Sequence, residues 1–191
     1  MARIKNIAIG LAMTAATMVA SPSFGQNAQK IVDATKTELL EKIPDDIADY
    51  PITWIQKHYG IEKTIDLVNQ HILQEINKIR IQNGVKPLVL DSLLNTAAQN
   101  YAEEMSLNQR YSHIGKDGST PLKRAKKMGY KTPIMLENIG WNYYSINDAI
   151  QHRGDKIQHE GHFKNMIDPD VDQLGVGYCD GYRVNMFGHS L

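Results

Sequence analysis

One carboxylate, that of Glu137, sits in the mainly apolar run Met135-Leu136-Glu137-Asn138-Ile139-Gly140, with a histidine segment on either side: Tyr111-Ser112-His113 upstream and Glu160-Gly161-His162 downstream. Burying a polar group costs about 2–7 kcal/mol, and a charge more, unless a cation, a proton or a donor compensates it. Imidazole suits that task near neutral pH. Two neutral imidazoles and a carboxylate are also zinc-ligand types that leave one coordination position open for water. The chemistry available is thus a compensated buried acid or a divalent-ion site, and either requires a fold that brings distant segments together.

Neighbouring patterns carry less. His159-Glu160-Gly161-His162 is not a zincin helix, which needs histidines four apart. A spacing of three still puts two side chains on one helix face, so His159 is kept as an additional candidate metal ligand. Ser112 beside His113 is no nucleophile–base pair on adjacency, because such pairs are defined in three dimensions. Lys123, Arg124, Lys126 and Lys127 lack interleaved aromatics and read as a solvated helix face. Cys179, the single cysteine, reads as a small buried hydrophobe and permits no internal disulfide.

The positioning elements follow from periodicity. Ile31, Val32, Thr35, Leu39 and Ile43 fall at helical spacing until Pro44, and Trp54, Ile55, His58 and Tyr59 make a short helix after Pro51. Thr64 is expected to cap a helix striped by Ile65, Val68, Ile72, Ile76 and Ile79 and closed by Asn83-Gly84. Asp91 caps the next, whose face of Leu93, Leu94, Ala97, Ala98, Tyr101, Ala102 and Met105 is lined with alanines that let another layer come close. Thr120-Pro121 opens a helix ended by Gly129, and Ser145-x-x-Asp148 has the form of a capping box. Trp141 and Tyr143 alternate with polar residues like a strand. Leu174–Cys179 and Tyr182–Phe187 flank Asp180-Gly181, the signature of a two-residue hairpin. Helices first and strands last predict an α+β fold with an antiparallel sheet between helices.

The start of the chain has Arg3 and Lys5, an apolar run from Ile7 to Ala20 and then small residues, the pattern of a signal peptide over 1–25. The run is too short to span a bilayer, for which roughly 20 residues are needed, so no transmembrane segment is expected after cleavage and the product is secreted or periplasmic. Of the 21 basic and 21 acidic residues, the first 25 hold two basic and no acidic ones, leaving 19 against 21. A net charge near −2 offers nucleic acid no attraction. The expected organisation is signal peptide 1–25, accessory helical region 26–63 and a single domain over 64–191.

Asn77-x-x-Arg80-x-x-x-Gly84-x-x-Pro87-Leu88, the Ala97-Ala98 helix, Ser112-His113, Asp117-Gly118-Ser119-Thr120-Pro121, Glu137-Asn138-Ile139-Gly140, Gly161-His162-x-x-Asn165-Met166 and Gly175-Val176-Gly177 occur in that order. Together they resemble the bacterial branch of the CAP superfamily, the SCP-like domains. The resemblance implies a three-layer α-β-α sandwich with a cleft lined by His113, Glu137 and His162, and places Asn165 where animal and plant members usually have glutamine. It also implies that the histidine pair of some members holds zinc or another divalent ion. Two positions depart from the family pattern: Lys156 replaces a usual tryptophan and His159 a usual serine or glutamate, leaving His159 or Glu160 as the fourth cleft residue.

The expectation from residues and resemblance together is a non-enzymatic exported domain. It would recognise a ligand, a lipid or an extracytoplasmic protein at the cleft, with a divalent metal tuning the site. The alternative is a metal-assisted hydrolase of peptide, ester or cell-wall bonds, in which Glu137 activates water. A third reading is a secreted scaffold whose polar cleft stabilises the fold.

Overall fold

A computed structural model describes residues 44, 46–145 and 160–189. The expected signal peptide, the helical pattern before Pro44, the Ser145-x-x-Asp148 box beyond Ser145, and His152, Lys156 and His159 all lie outside them. Asp45–Leu191 forms a compact unit. It starts with a 3₁₀ turn, Ile47–Asp49, and α1, Ile52–Tyr59, whose Ile52 and Ile55 are buried.

Gly60, at φ 83°, ends α1 and starts α2, Ile61–Gln82. Thr64 is therefore not the cap expected of it. It lies one turn inside the helix, where its hydroxyl donates to the Gly60 carbonyl at 2.7 Å. The expected stripe is present: Val68, Ile72 and Ile76 are buried, with Arg80 at its end. The helix stops at Asn83-Gly84, with Gly84 at φ 71°. Asn77 then holds the returning chain by donating to Leu88 O at 2.9 Å and accepting from Leu88 N at 2.7 Å. This leads into β1, Val89–Leu90.

In α3, Ser92–Asn108, Asp91 caps as expected, accepting from Leu94 N at 2.9 Å. α4, Pro121–Lys127, is capped by Thr120. β2 is Met135–Gly140, α5 is Glu160–Met166, and β3, Gln173–Cys179, turns at Asp180-Gly181 into β4, Tyr182–Gly188. The turn residues sit at φ 45° and 83°, as a tight hairpin between right-twisted strands requires.

The strand order is β1-β3-β4-β2. β2, β4 and β3 are antiparallel, as expected, but β1 adds two residues parallel to β3. The Trp141–Tyr143 strand does not form. Asn142 takes φ 71° and turns the chain, and the Tyr143 ring folds onto Gly140, where a Cβ would meet it at 2.1 Å.

α3 lies across β3 and β4 at very short range. A Cβ on Gly175 would be 2.3 Å from the Leu94 backbone, and one on Gly177 would be 2.2 Å from that of Ala98. The alanine face thus meets glycines, and Tyr182, Val184, Met186 and Ile139 complete the core beside it. Beyond β1, the free edge of β3 is sealed by the same helix. Asn95 accepts from Val176 N at 2.9 Å, and Gln99 both donates to Tyr178 O and accepts from Tyr178 N, each at 3.0 Å. Two amides one turn apart thereby replace a neighbouring strand and blunt an edge that would otherwise invite pairing. The opposite face of the sheet is covered by α2 and α5, which completes the expected three-layer α-β-α sandwich.

Candidate functional site

Because side chains alternate along β2, Glu137 and Ile139 point to the α3 side, and Asn138 points to the α5 side. Glu137 is the inward residue nearest α4, and its side chain is only 1% exposed. Two groups compensate it. Arg124 Nη2 donates to Oε2 at 2.5 Å, and His113 Nδ1 is 2.8 Å from Oε1. An ionised carboxylate only accepts hydrogen bonds, so Nδ1 carries the proton and Nε2 is left as the outward nitrogen of a half-exposed ring.

Arg124 is buried, so the basic cluster is not a uniformly solvated face. Lys123, Lys126 and Lys127 are exposed, while Arg124 and Ala125 form the inner side of α4. The guanidinium donates to Ser119 O at 2.9 Å and to His113 O at 3.3 Å, and it lies 3.4 Å from the Tyr101 ring centroid. The Tyr101 hydroxyl donates to Ser112 O, fixing the segment that carries His113. Burial pushes this phenol up to about 12. The available signal for Arg124 was the acid itself: a carboxylate in an apolar strand needs a cation, and the turn after Thr120-Pro121 supplies one on the buried side.

The second half of the expected cleft reaches the same strand by other contacts. Asn138 Nδ2 donates to His162 O at 3.0 Å, and Asn165 Nδ2 donates to Asn138 Oδ1 at 2.8 Å and to Glu137 O at 3.3 Å. β2 therefore unites His113 with Glu137 through side chains, and ties α5, with His162 and Asn165, to residues 137 and 138. Glu160 is the first residue of α5. Arg80 fixes the far end of this helix, donating to Met166 O at 2.8 Å, Asp168 O at 2.9 Å and Val171 O at 2.9 Å.

A divalent ion does not fit the arrangement at Glu137. Each carboxylate oxygen already accepts a hydrogen bond, and one donor is a guanidinium whose positive charge would repel a metal. Among the described residues, no three His, Cys, Asp or Glu side chains stand together as a metal-binding group. Cys179 is partly buried, and burial pushes its thiol up, away from the reactive thiolate.

A sandwich of this topology, with a buried acid on its edge strand met by the histidine of a preceding loop, defines an SCP-type domain. The family model described as "Cysteine-rich secretory protein family" (CAP) matches residues 73–187, and the chain belongs to that family. It is similar to the Bacillus subtilis "Uncharacterized protein YkwD", 23% identical over 61% of this chain and 44% of that one. It is also similar to the "Uncharacterized membrane protein YlbC" of the same organism, 28% identical over 62% and 33%. The matched region thus spans less than half the length of either relative. Among solved structures, an extracellular SCP-domain protein from Bacillus anthracis superposes with a TM-score of 0.58 at 25% identity, covering 63% of this chain and 39% of that one. An outer surface protein from Borrelia burgdorferi gives 0.57 at 21% identity, covering 65% and 93%.

Proposed function

We propose that this CAP domain acts outside the cytoplasm as a recognition module, binding a ligand or partner at the surface around His113 without turning it over. The state of Glu137 carries this reading. A general base must reach a proton and be free to take it, whereas this carboxylate is buried and held by Arg124 and His113. What faces outward is one imidazole nitrogen, and several exposed apolar side chains are near this site's residues in sequence. Tyr111 and Ile114 flank His113, Trp141 follows β2, and Phe163 follows His162. Such a mixture suits a ligand with an apolar body and a single polar group. Export is supported by the basic-then-apolar start of the chain and by the similarity to a Bacillus anthracis protein described as extracellular. Among the described residues no helix is long and apolar enough to cross a membrane.

The test is calorimetric titration with fatty acids, sterols, lipid vesicles and cell-wall fragments, comparing the wild type with His113→Ala and Trp141→Ala. Saturable binding that both substitutions weaken supports recognition; no saturation across the panel removes it.

One contact favours the hydrolase as a second reading. The carboxylate fixes the His113 tautomer, and an imidazole so oriented is a competent base through Nε2. Peptide, ester and cell-wall substrates assayed with His113→Ala, Glu137→Gln and His162→Ala decide between the two. Turnover in the wild type that His113→Ala abolishes would replace the recognition reading.

A further inference from the structure

Between α3 and α4 lies a cleft of about 240 Å³ that neither Glu137 nor His113 lines. Ala97, Tyr101 and Met128 supply apolar lining. Its charged lining divides by wall: Glu104 belongs to α3 and Asp117 to the loop after it, whereas Lys123 and Lys127 belong to α4. The two lysines are four apart, so they share one helix face.

Although these opposite charges line one cavity, none of them pairs with another. Glu104 accepts from Lys116 N at 2.7 Å, and Asp117 accepts from Ser119 N at 2.8 Å. The ammonium groups of Lys123 and Lys127 have no hydrogen-bond or ion-pair partner among the described residues. The walls are nevertheless close enough to feel each other. Hydrogen bonds from Ser119 hold the Asp117 carboxyl below its ordinary range, and the charge of Lys127 adds to that effect. Apart from Arg124, which Glu137 neutralises, the lining holds two positive and two negative groups. A simple anion or cation would meet as much repulsion as attraction, whereas a small molecule that carries one charge of each sign side by side satisfies both walls. The volume is below the ~300–1,000 Å³ usual for drug-sized ligands and suits something of amino-acid size.

We propose that this cleft binds a free α-amino acid with an apolar side chain. The carboxylate lies between Lys123 and Lys127, the ammonium group toward Glu104 and Asp117, and the side chain over Ala97, Tyr101 and Met128. The site is separate from the surface around His113, so its failure leaves the recognition reading intact. Because the lysines are exposed and each exposed pair contributes little, affinity is expected on the order of 1 mM.

The test is amide-resolved NMR titration of the full chain with phenylalanine, N-acetylphenylalanine and phenylalaninamide. Phenylalanine should give saturable shifts at Asn100, Ser119, Lys123 and Met128, with both blocked forms binding at least about fivefold more weakly. The double variant Lys123→Gln/Lys127→Gln should erase the preference for phenylalanine over its amide. Glu104→Gln should erase the preference over the acetylated form. No saturable shift with phenylalanine, equal binding of all three compounds, or preferences that survive the substitutions would each overturn the proposal. Shifts that map to residues outside the cleft would overturn it as well.

Discussion

Arg124 donates to Glu137 at 2.5 Å with side-chain exposures of 9% and 1%, so each of these charges is tolerated in the interior because the other is there. Removing one partner of a buried pair costs about 3–5 kcal/mol, because the remaining charge is stranded. Arg124→Met should therefore destabilise the domain by that amount in urea titration. Arg124→Met/Glu137→Leu should recover most of the loss, since both charges then leave together. A single-variant cost below about 1 kcal/mol would show that solvent, not the pair, supports Glu137.

Much of this frame is legible in the sequence, and the exceptions share a cause. Asp91, Thr120 and Asp180-Gly181 act through contacts within a few residues of themselves, so local spacing locates their caps and turn. Arg124 reads as solvated in sequence because its role depends on Glu137, 13 residues away on another element. Thr64 reads as a cap because a hydroxyl before an apolar stripe has that form; the break is set instead by Gly60, whose positive φ the sequence does not display. β1 is only two residues long and exists through its partner β3, so no periodicity could announce it. His113 and Glu137 are expected to meet and do, because Arg124 of α4 donates both to the His113 carbonyl and to the Glu137 carboxylate.

An added methyl group should have opposite effects at two glycines, one where α3 meets β3 and one in α5. At Gly175 an added methyl would meet Leu94 backbone at 2.3 and 2.4 Å, and backbone cannot swing aside as a side chain can. Gly175→Ala should cost at least about 1–3 kcal/mol, the usual range for overpacking, and should lower the melting temperature. Gly161, in the first turn of α5, has nothing within 4 Å of its added Cβ. Gly161→Ala should raise stability by up to about 1 kcal/mol through helix propensity. Thermal melts of the two variants side by side would test the pair.

Alkaline pH should act through the buried phenols. Burial pushes Tyr101 up to about 12 and Tyr178 to about 12, and raises Tyr130 further. In the unfolded chain a tyrosine titrates near ~10. A pKa raised on folding means that the native state holds the proton longer. The associated stability is therefore complete below about pH 10 and is lost as pH rises through about 12. Denaturation midpoints measured from about pH 9 to 12 should fall across that window, and Tyr101→Phe should make the fall shallower. An unchanged slope in that variant would exclude Tyr101 as a contributor.

Arg80 is 1% exposed and joins two parts of the chain that sequence separates widely. Its guanidinium donates to Lys86 O at 2.6 Å before β1, and to Met166, Asp168 and Val171 carbonyls after α5. Burial lowers its pKa, with Asp168 and Asp172 opposing that shift, so the charged form is held by those carboxylates and by the four carbonyls. Lysine cannot reproduce a planar fork that serves several acceptors at once. Arg80→Lys should leave carbonyls without donors, at a cost of more than about 1–3 kcal/mol. The loss should be local as well as global. Hydrogen exchange should accelerate over residues 160–172 more than in α3, because α5 loses its C-terminal anchor while Asn138 still holds His162 O. The ligand binding proposed around His113 should weaken less in Arg80→Lys than in His113→Ala. Uniform acceleration across the sheet and α3 would show instead that Arg80 supports the whole core and not α5 in particular.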